Sequence, residues 1–260
     1  MSINAIGSAS IPYPSPTSTD TSLTSGKKIN SAADNPAALA VATGMSTDIL
    51  AQTRGMRNAN DGISLLQTAD GAAQNMTNSM NRMYELSIQA ANGTLNSSQR
   101  TMLNVEFQQQ MQEMQRMAET TKFNGMSLLN SEHSSLSIAL GGSDSELNLP
   151  DLSLASMGLE DLNLADRDGA GRAAEMLRSA TEFMSEVRAQ FGAQQNGLVS
   201  AFDNLANSQA NSQQARSQII DTNYAKAITE QTRENVLNQS AIMMQSISNQ
   251  DRANTLQLLS

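Results

Sequence analysis

Apolar residues recur at helical spacing along most of this chain, and near its middle they switch briefly to strict alternation. The clearest run lies over residues 63–91. Leu66, Ala73, Met80 and Ser87 stand seven apart, and so do Ala69, Met76, Met83 and Ala90. The two lanes alternate by three and four, which is the seam of a heptad repeat. About 30 residues at ~1.5 Å each predict a rod of roughly 45 Å. Asn92-Gly93 ends it, with the glycine expected in the left-handed C-terminal conformation.

Asn96-Ser97-Ser98 then predicts the cap of a second helix over about 98–121. Its apolar side carries Leu103, Phe107, Met111, Met114 and Ala118, and Asn124-Gly125 breaks it. A short link between two long helices implies an antiparallel pair. Upstream, Asp34-Asn35-Pro36 reads as a helix start, with Asn as cap and Pro as first helical residue. That helix is expected from about Pro36 to Thr53, before Gly55 and Asn58 loosen the next turn. Residues 1–22 hold Pro12, Pro14 and Pro16, which disfavour helix at the residue before each. They are expected to be extended or disordered in the isolated subunit.

Leu136, Ile138 and Leu140 alternate, Gly141-Gly142-Ser143-Asp144 turns, and Leu147 and Leu149 resume the alternation. With Leu152 and Leu154 beyond Pro150-Asp151, this predicts a β-hairpin or small meander. Heptad spacing returns with Leu177, Met184, Phe191, Leu198 and Leu205, beside a lane of Ala180, Val187, Gln194 and Ala201. One helix from about 170 to 215 or beyond carries both lanes, despite Gly192 and Gly197 at about 1 kcal/mol each. A terminal helix shows an apolar stripe of Val236, Ser240, Met243 and Ile247, widened by Leu237, Ala241 and Met244. It needs a partner, naturally an N-terminal helix, which this chain scarcely has.

The fold class is therefore mainly α: an elongated antiparallel helical bundle or coiled coil with a small central β-hairpin region and terminal helical segments. Five segments follow. They are a Pro-containing N-terminal piece (1–30), a helical half (31–132), a hairpin region (133–165), a second helical half (166–215) and a terminal helix (216–260).

Composition narrows the function. There are five Phe, three Tyr and no Trp, which suits narrow helix seams filled by Ala, Leu and Met rather than a thick core. The net charge of -9 and the lack of any long basic run argue against nucleic acid as partner. No run is apolar enough to span a membrane. With no Cys, disulfides and thiolate metal sites are excluded. Met1-Ser2-Ile3-Asn4-Ala5 has no basic region or apolar run, so export would need a route other than a general signal peptide. The one His, His133, lies in a Ser-rich loop and reads as solvated; a triad or a His-rich metal site needs more. The pairs Asp144 with Glu146 and Glu160 with Asp161 lie near turns and carry no calcium or catalytic assignment. No catalytic, cofactor-binding or metal-binding residue is assigned, and the chain is expected not to be an enzyme.

Several stretches resemble bacterial flagellins. Ser25-Gly26-Lys27-Lys28-Ile29-Asn30-Ser31-Ala32-Ala33-Asp34-Asn35-Pro36-Ala37 and Arg57-Asn58-Ala59-Asn60-Asp61-Gly62-Ile63-Ser64 are similar to that family's N-terminal signatures. So are Glu85-Leu86-Ser87-Ile88-Gln89-Ala90-Ala91-Asn92-Gly93-Thr94 and Lys122-Phe123-Asn124-Gly125. Ala215-Arg216-Ser217-Gln218-Ile219-Ile220-Asp221-Thr222-Asn223-Tyr224-Ala225 and the final Leu256-Gln257-Leu258-Leu259 resemble its C-terminal half. The likeness covers roughly residues 23–260. Two features depart from it: Met1–Ser22 is short and Pro-containing, and only 133–165 stands where flagellins carry large outer domains.

The resemblance implies a secreted, extracellular subunit of the bacterial flagellum, exported through the flagellar type III channel and polymerised for motility. It implies other copies of this chain as partners, with an export chaperone and cap or junction proteins. It places the assembly contacts on the terminal helix at Val236, Leu237, Met243, Met244, Ile247, Leu256, Leu258 and Leu259. It also implies that Arg82, Leu86, Gln89 and Glu106 face either a neighbouring protofilament or the vertebrate Toll-like flagellin receptor. A hook–filament junction protein or a minor flagellin-like secreted protein is the alternative. A secreted effector built on flagellin helices would need an inserted catalytic domain, and a generic coiled coil leaves Asn-Ala-Asn-Asp-Gly and Phe-Asn-Gly unexplained.

Overall fold

A computed structural model describes residues 18–130 and 134–258, apart from the side chains of 252, 253 and 256–258. The elements are α1 (Ser18–Ser25), α2 (Pro36–Ala90), α3 (Ser97–Thr120), β1 (Lys122–Phe123), β2 (Met126–Ser127), β3 (Ser135–Ala139), β4 (Asp144–Asn148), α4 (Arg167–Ile220) and α5 (Tyr224–Leu258). The expected mainly helical class with a small hairpin region is what these residues form. The expectations for residues 1–17, for His133 and Leu259, and for the side chains of Leu256 and Leu258 lie outside the described residues. The chain divides into two compact units, one of residues 1–47 with 211–260 and one of residues 48–210.

The 48–210 unit is built on the α2 seam. All eight residues of its two lanes are buried: Leu66, Ala69, Ala73, Met76, Met80, Met83, Ser87 and Ala90. Opposite them lie Phe107, Met111, Met114 and Ala118 of α3, and Leu177, Ala180, Met184, Val187, Phe191 and Leu198 of α4. Leu205 and Ala201 are only partly buried at the end of their lanes. Polar pairs fix the direction of α4 against α2. Arg188 Nε donates to Asp70 at 2.8 Å, Gln52 to Ser208 at 2.9 Å, and Gln209 to Thr53 at 2.6 Å. Partner numbers that rise on one helix as they fall on the other make the pair antiparallel.

Gln194 is the polar member of its lane in α4. Its amide accepts from the Asn148 N–H at 3.1 Å and donates to the Asn148 carbonyl at 3.4 Å, docking the edge of β4 on α4. Three amides of α3 do the same for the irregular segment 149–165. Asn104 accepts from the Leu164 N–H at 2.7 Å, Gln108 donates to the Leu162 carbonyl at 2.9 Å, and Gln115 accepts from the Leu154 N–H at 3.3 Å. Leu152, Leu154, Leu159 and Leu164 are thereby buried without regular structure around them. Of the expected hairpin or small meander, the hairpin forms, and beyond it Leu152 donates its N–H to the Leu129 carbonyl at 2.9 Å.

Three local expectations are corrected. α2 does not pause at Gly55 or Asn58 but runs unbroken from Pro36 to Ala90. Gly55 is there because the hairpin comes too close for a side chain: a Cβ would lie 2.6 Å from the Leu140 carbonyl. Asn58 donates to the Ala139 carbonyl at 2.8 Å beside it. Gly93 has no left-handed backbone; α2 ends with the Asn92 side chain accepting from Thr94 N–H at 3.1 Å. Asn124-Gly125 does not break α3, which stops at Thr120. It is the two-residue turn of the β1–β2 hairpin, with φ of 49° and 83°. The α3 start is as expected, a capping box of Asn96 and Gln99.

In the other unit, residues 18–25 form a helix rather than the expected extended stretch. Thr21, Ser22 and Thr24 return their hydroxyls to carbonyls three or four residues back, and Asp20 accepts from Gln231 of α5 at 2.8 Å. Backbone bonds join the start of the next loop to the end of α4, Lys28 N–H to Ile220 at 2.7 Å and Thr222 N–H to Gly26 at 3.0 Å. The Asp34 carboxylate closes the loop, accepting from the N–H groups of Asn30 at 2.8 Å and Ser31 at 2.9 Å. Those two bonds, Asn30 first, hold Asp34 below its ordinary pKa of 3.8.

A carboxylate with a depressed folded pKa adds stability above its unfolded pKa and loses it as pH falls through the folded one. Amide exchange at Asn30 and Ser31 should therefore stay protected at pH 5 and quicken only in acid below about pH 4; Asp34→Asn should remove that pH dependence. Two of the left-handed glycines, Gly125 and Gly141 with φ of 83° and 77°, should separate as well. Gly125→Ala meets open space and should cost about 1 kcal/mol, whereas a Cβ at Gly141 lies 2.5 Å from the Ala51 carbonyl oxygen. Gly141→Ala should cost more than twice as much in urea unfolding.

Candidate functional site

Two surfaces hold the residues singled out from the sequence. The first is α5. Asn223 caps it, its side chain accepting from Lys226 N–H at 3.2 Å. Its first turns lie against α1: Thr222 donates to the Ser22 carbonyl at 3.3 Å, the Tyr224 hydroxyl to Leu23 at 3.5 Å, and Ala227 is buried. The scant N-terminal partner that was expected is the eight-residue α1, which covers α5 only as far as Gln231. Its partner numbers run in opposite senses, so α1 and α5 are antiparallel.

Beyond Glu234 the cover ends. Every side chain from Asn235 to Asp251 is exposed. Val236 and Leu237 are 55% and 57% exposed, Met243 and Met244 70% and 69%, and Ile247 53%. Ile242 is equally bare and lies outside the stripe, on the opposite side of the helix from it. A single helix is only marginally stable in water at such lengths. Covering each of these side chains would contribute about 1–2 kcal/mol.

The second surface lies on α2 and α3. Arg82 donates to Glu106 through Nε at 2.8 Å and Nη2 at 2.5 Å, and to Glu85 at 3.2 Å. The bonds to Glu106 and then Glu85 raise the guanidinium pKa above its ordinary value. Gln89 is exposed on the same helix. Leu86 is not: it is 1% exposed and belongs to the core, which corrects its placement on a solvated face. It stands three residues after Met83 and four before Ala90, so helical geometry turns it toward the seam. The stripe is wider than two lanes because both α3 and α4 cover α2.

Among the described residues no group of three or more His, Cys, Asp or Glu is placed to hold a metal ion. Among the same residues no helix is long and apolar enough to cross a membrane.

Residues 13–134 match the model of the bacterial flagellin N-terminal helical region, and residues 174–259 that of the bacterial flagellin C-terminal helical region. The chain belongs to the bacterial flagellin family. This flagellin is 36% identical to a flagellin of Halalkalibacterium halodurans over 91% of its own length and 89% of the relative's. It is 31% identical to the flagellar filament 30.7 kDa core protein of Treponema maltophilum, over 92% and 90%. Against a flagellin of Salmonella muenchen, at 38% identity, it spans 29% of the relative's length. Only residues 135–173 separate the two family regions, which makes it a minimal flagellin. Among solved structures, Bacillus cereus flagellin matches with a TM-score of 0.53 at 33% identity, covering 57% of this chain and 88% of that one. A putative flagellar hook-associated protein from Vibrio parahaemolyticus shares the fold, with a TM-score of 0.62 at 11% identity over 72% and 100%.

Leu86 and Gln89 should behave oppositely. Leu86→Ala should destabilise by about 2–5 kcal/mol through a core cavity, while Gln89→Ala should leave the urea midpoint unchanged.

Proposed function

We propose that this chain polymerises into the flagellar filament by covering the bare stripe of α5 with other copies of itself. As a bacterial flagellin it is a structural subunit of the filament, not a member of an enzyme family. The observation that carries the assembly reading is the run from Asn235 to Asp251, exposed at every position while rich in Val, Leu, Ile and Met. Contacts that repeat head to tail without closing generate an open helical polymer. The two full-length relatives, named as a flagellin and as a filament core protein, support the filament over the hook–filament junction.

Export through the flagellar channel to the outside of the cell, helped by a chaperone and followed by a cap, belongs to the same proposal. So does catalytic inactivity. The Arg82, Gln89 and Glu106 surface serves as a second contact, toward a neighbouring protofilament or the Toll-like receptor. Leu86 supports that surface from beneath.

Concentrated protein, seeded with fragments and viewed by electron microscopy, should form filaments. Val236→Ser with Ile247→Ser should abolish them and leave the thermal midpoint within about 2 °C, since both side chains are already in water. Filament formation by the double variant would rule the stripe out. Fluorescent labelling of cells should decorate the whole filament; label confined to its base would favour the junction.

A further inference from the structure

The described methionines range from sealed to bare, and the two extremes stand apart from the half-buried Met45, Met56, Met117, Met126 and Met157. Met76, Met80, Met83, Met114 and Met184 are fully buried, and Met111 nearly so. Met102, Met243 and Met244 stand about as open as a helical side chain can, at 70%, 70% and 69%, with Met176 at 38%. Met243 and Met244 are adjacent, on the part of α5 that no other element covers among the described residues. The chain has no cysteine and no tryptophan, so no thiolate or indole competes for an oxidant.

We propose that Met243 and Met244 form a reversible oxidation site that switches assembly off. The proposal rests on the assembly reading of the α5 stripe. The oxidant is hydrogen peroxide. The thioether sulfur attacks one peroxide oxygen, an S–O bond forms and the O–O bond breaks. The departing hydroxide takes a proton to leave as water. Sulfur loses two electrons and the peroxide gains two. A dithiol reverses the step: the sulfoxide oxygen leaves as water and the dithiol becomes a disulfide.

The sulfoxide adds one oxygen to the side chain and gives it a strong dipole. Packed against an apolar neighbour it lacks a hydrogen-bond donor, and burial without one is unfavourable. Free subunits are the vulnerable form, because assembly itself would bury the two sulfurs. The core methionines, sealed between helices, are spared, so the oxidised subunit stays folded and recovers on reduction.

The test uses the full chain. It is treated with graded peroxide, mapped by peptide mass spectrometry, and assayed for sedimentable polymer before and after treatment with methionine sulfoxide reductase and a dithiol. Met243, Met244 and Met102 should gain oxygen before Met76, Met80 and Met83. Oxidation of the α5 pair should raise the concentration needed for polymer about tenfold, and reduction should restore it. Met243→Leu with Met244→Leu should polymerise and resist peroxide, whereas Met102→Leu should remain sensitive. Polymer that persists after full oxidation of Met243 and Met244, or a double Leu variant that loses polymer to peroxide equally, overturns the switch alone. If the double variant fails to polymerise untreated, the reductase arm decides, since loss that reduction does not reverse also overturns it. Untreated chain that never polymerises overturns the assembly reading and the switch with it.

Discussion

Helices can approach one another closely only where the side chains between them are narrow near the backbone. In the 48–210 unit that condition is met by Ala59, Ala69, Ala73, Ala90, Ala118, Ala173 and Ala180, and by methionines whose bulk lies at the end of an unbranched chain. Phe107 and Phe191 are the only large rings sealed among the described residues. With so few bulky anchors, specificity falls to polar groups at the edges. Asp70 with Arg188 orients α4 against α2, and Gln194 locates the hairpin. Asn104, Gln108 and Gln115 give the 149–165 segment its hydrogen bonds in place of a sheet.

The two units differ in how complete they are. One closes its apolar surface almost wholly within itself, down to the irregular leucines of 149–165. The other leaves more than half of α5 bare, although the same residue types line it. A soluble monomer under no other demand gains nothing from six large apolar side chains in water along one helix. A filament subunit needs such a surface, because the contacts that build the polymer have to be vacant in the piece that is added. α1 covers α5 only as far as Gln231, which keeps the helix start anchored while the remainder stays available.

The long helices and the hairpin were legible because their cause is local: apolar spacing and turn residues act over a few positions. All eight lane residues of α2 and the cap at Asn96 follow from that alone. What could not be read depends on distant parts of the chain. Gly55 looked like a weak point in a helix, and only the Leu140 carbonyl against it shows why glycine stands there. The helix at Ser18–Ser25 has few apolar residues of its own and is held by α5, some 200 residues away. Leu86 was misplaced for a different reason, since two lanes were drawn where a helix covered by two neighbours has a broader buried face. Asn124-Gly125 suits a helix stop and a two-residue hairpin turn alike, and only the pairing of Phe123 with Met126 decides between them.

Tyr224 sits where α5 meets α1, its hydroxyl on the Leu23 carbonyl. The chain has three tyrosines and no tryptophan to drain their excited state. Its ultraviolet emission is therefore phenolic, and part of it issues from this joint. The molecule carries its own optical gauge of whether the short first helix stays seated, with no dye attached.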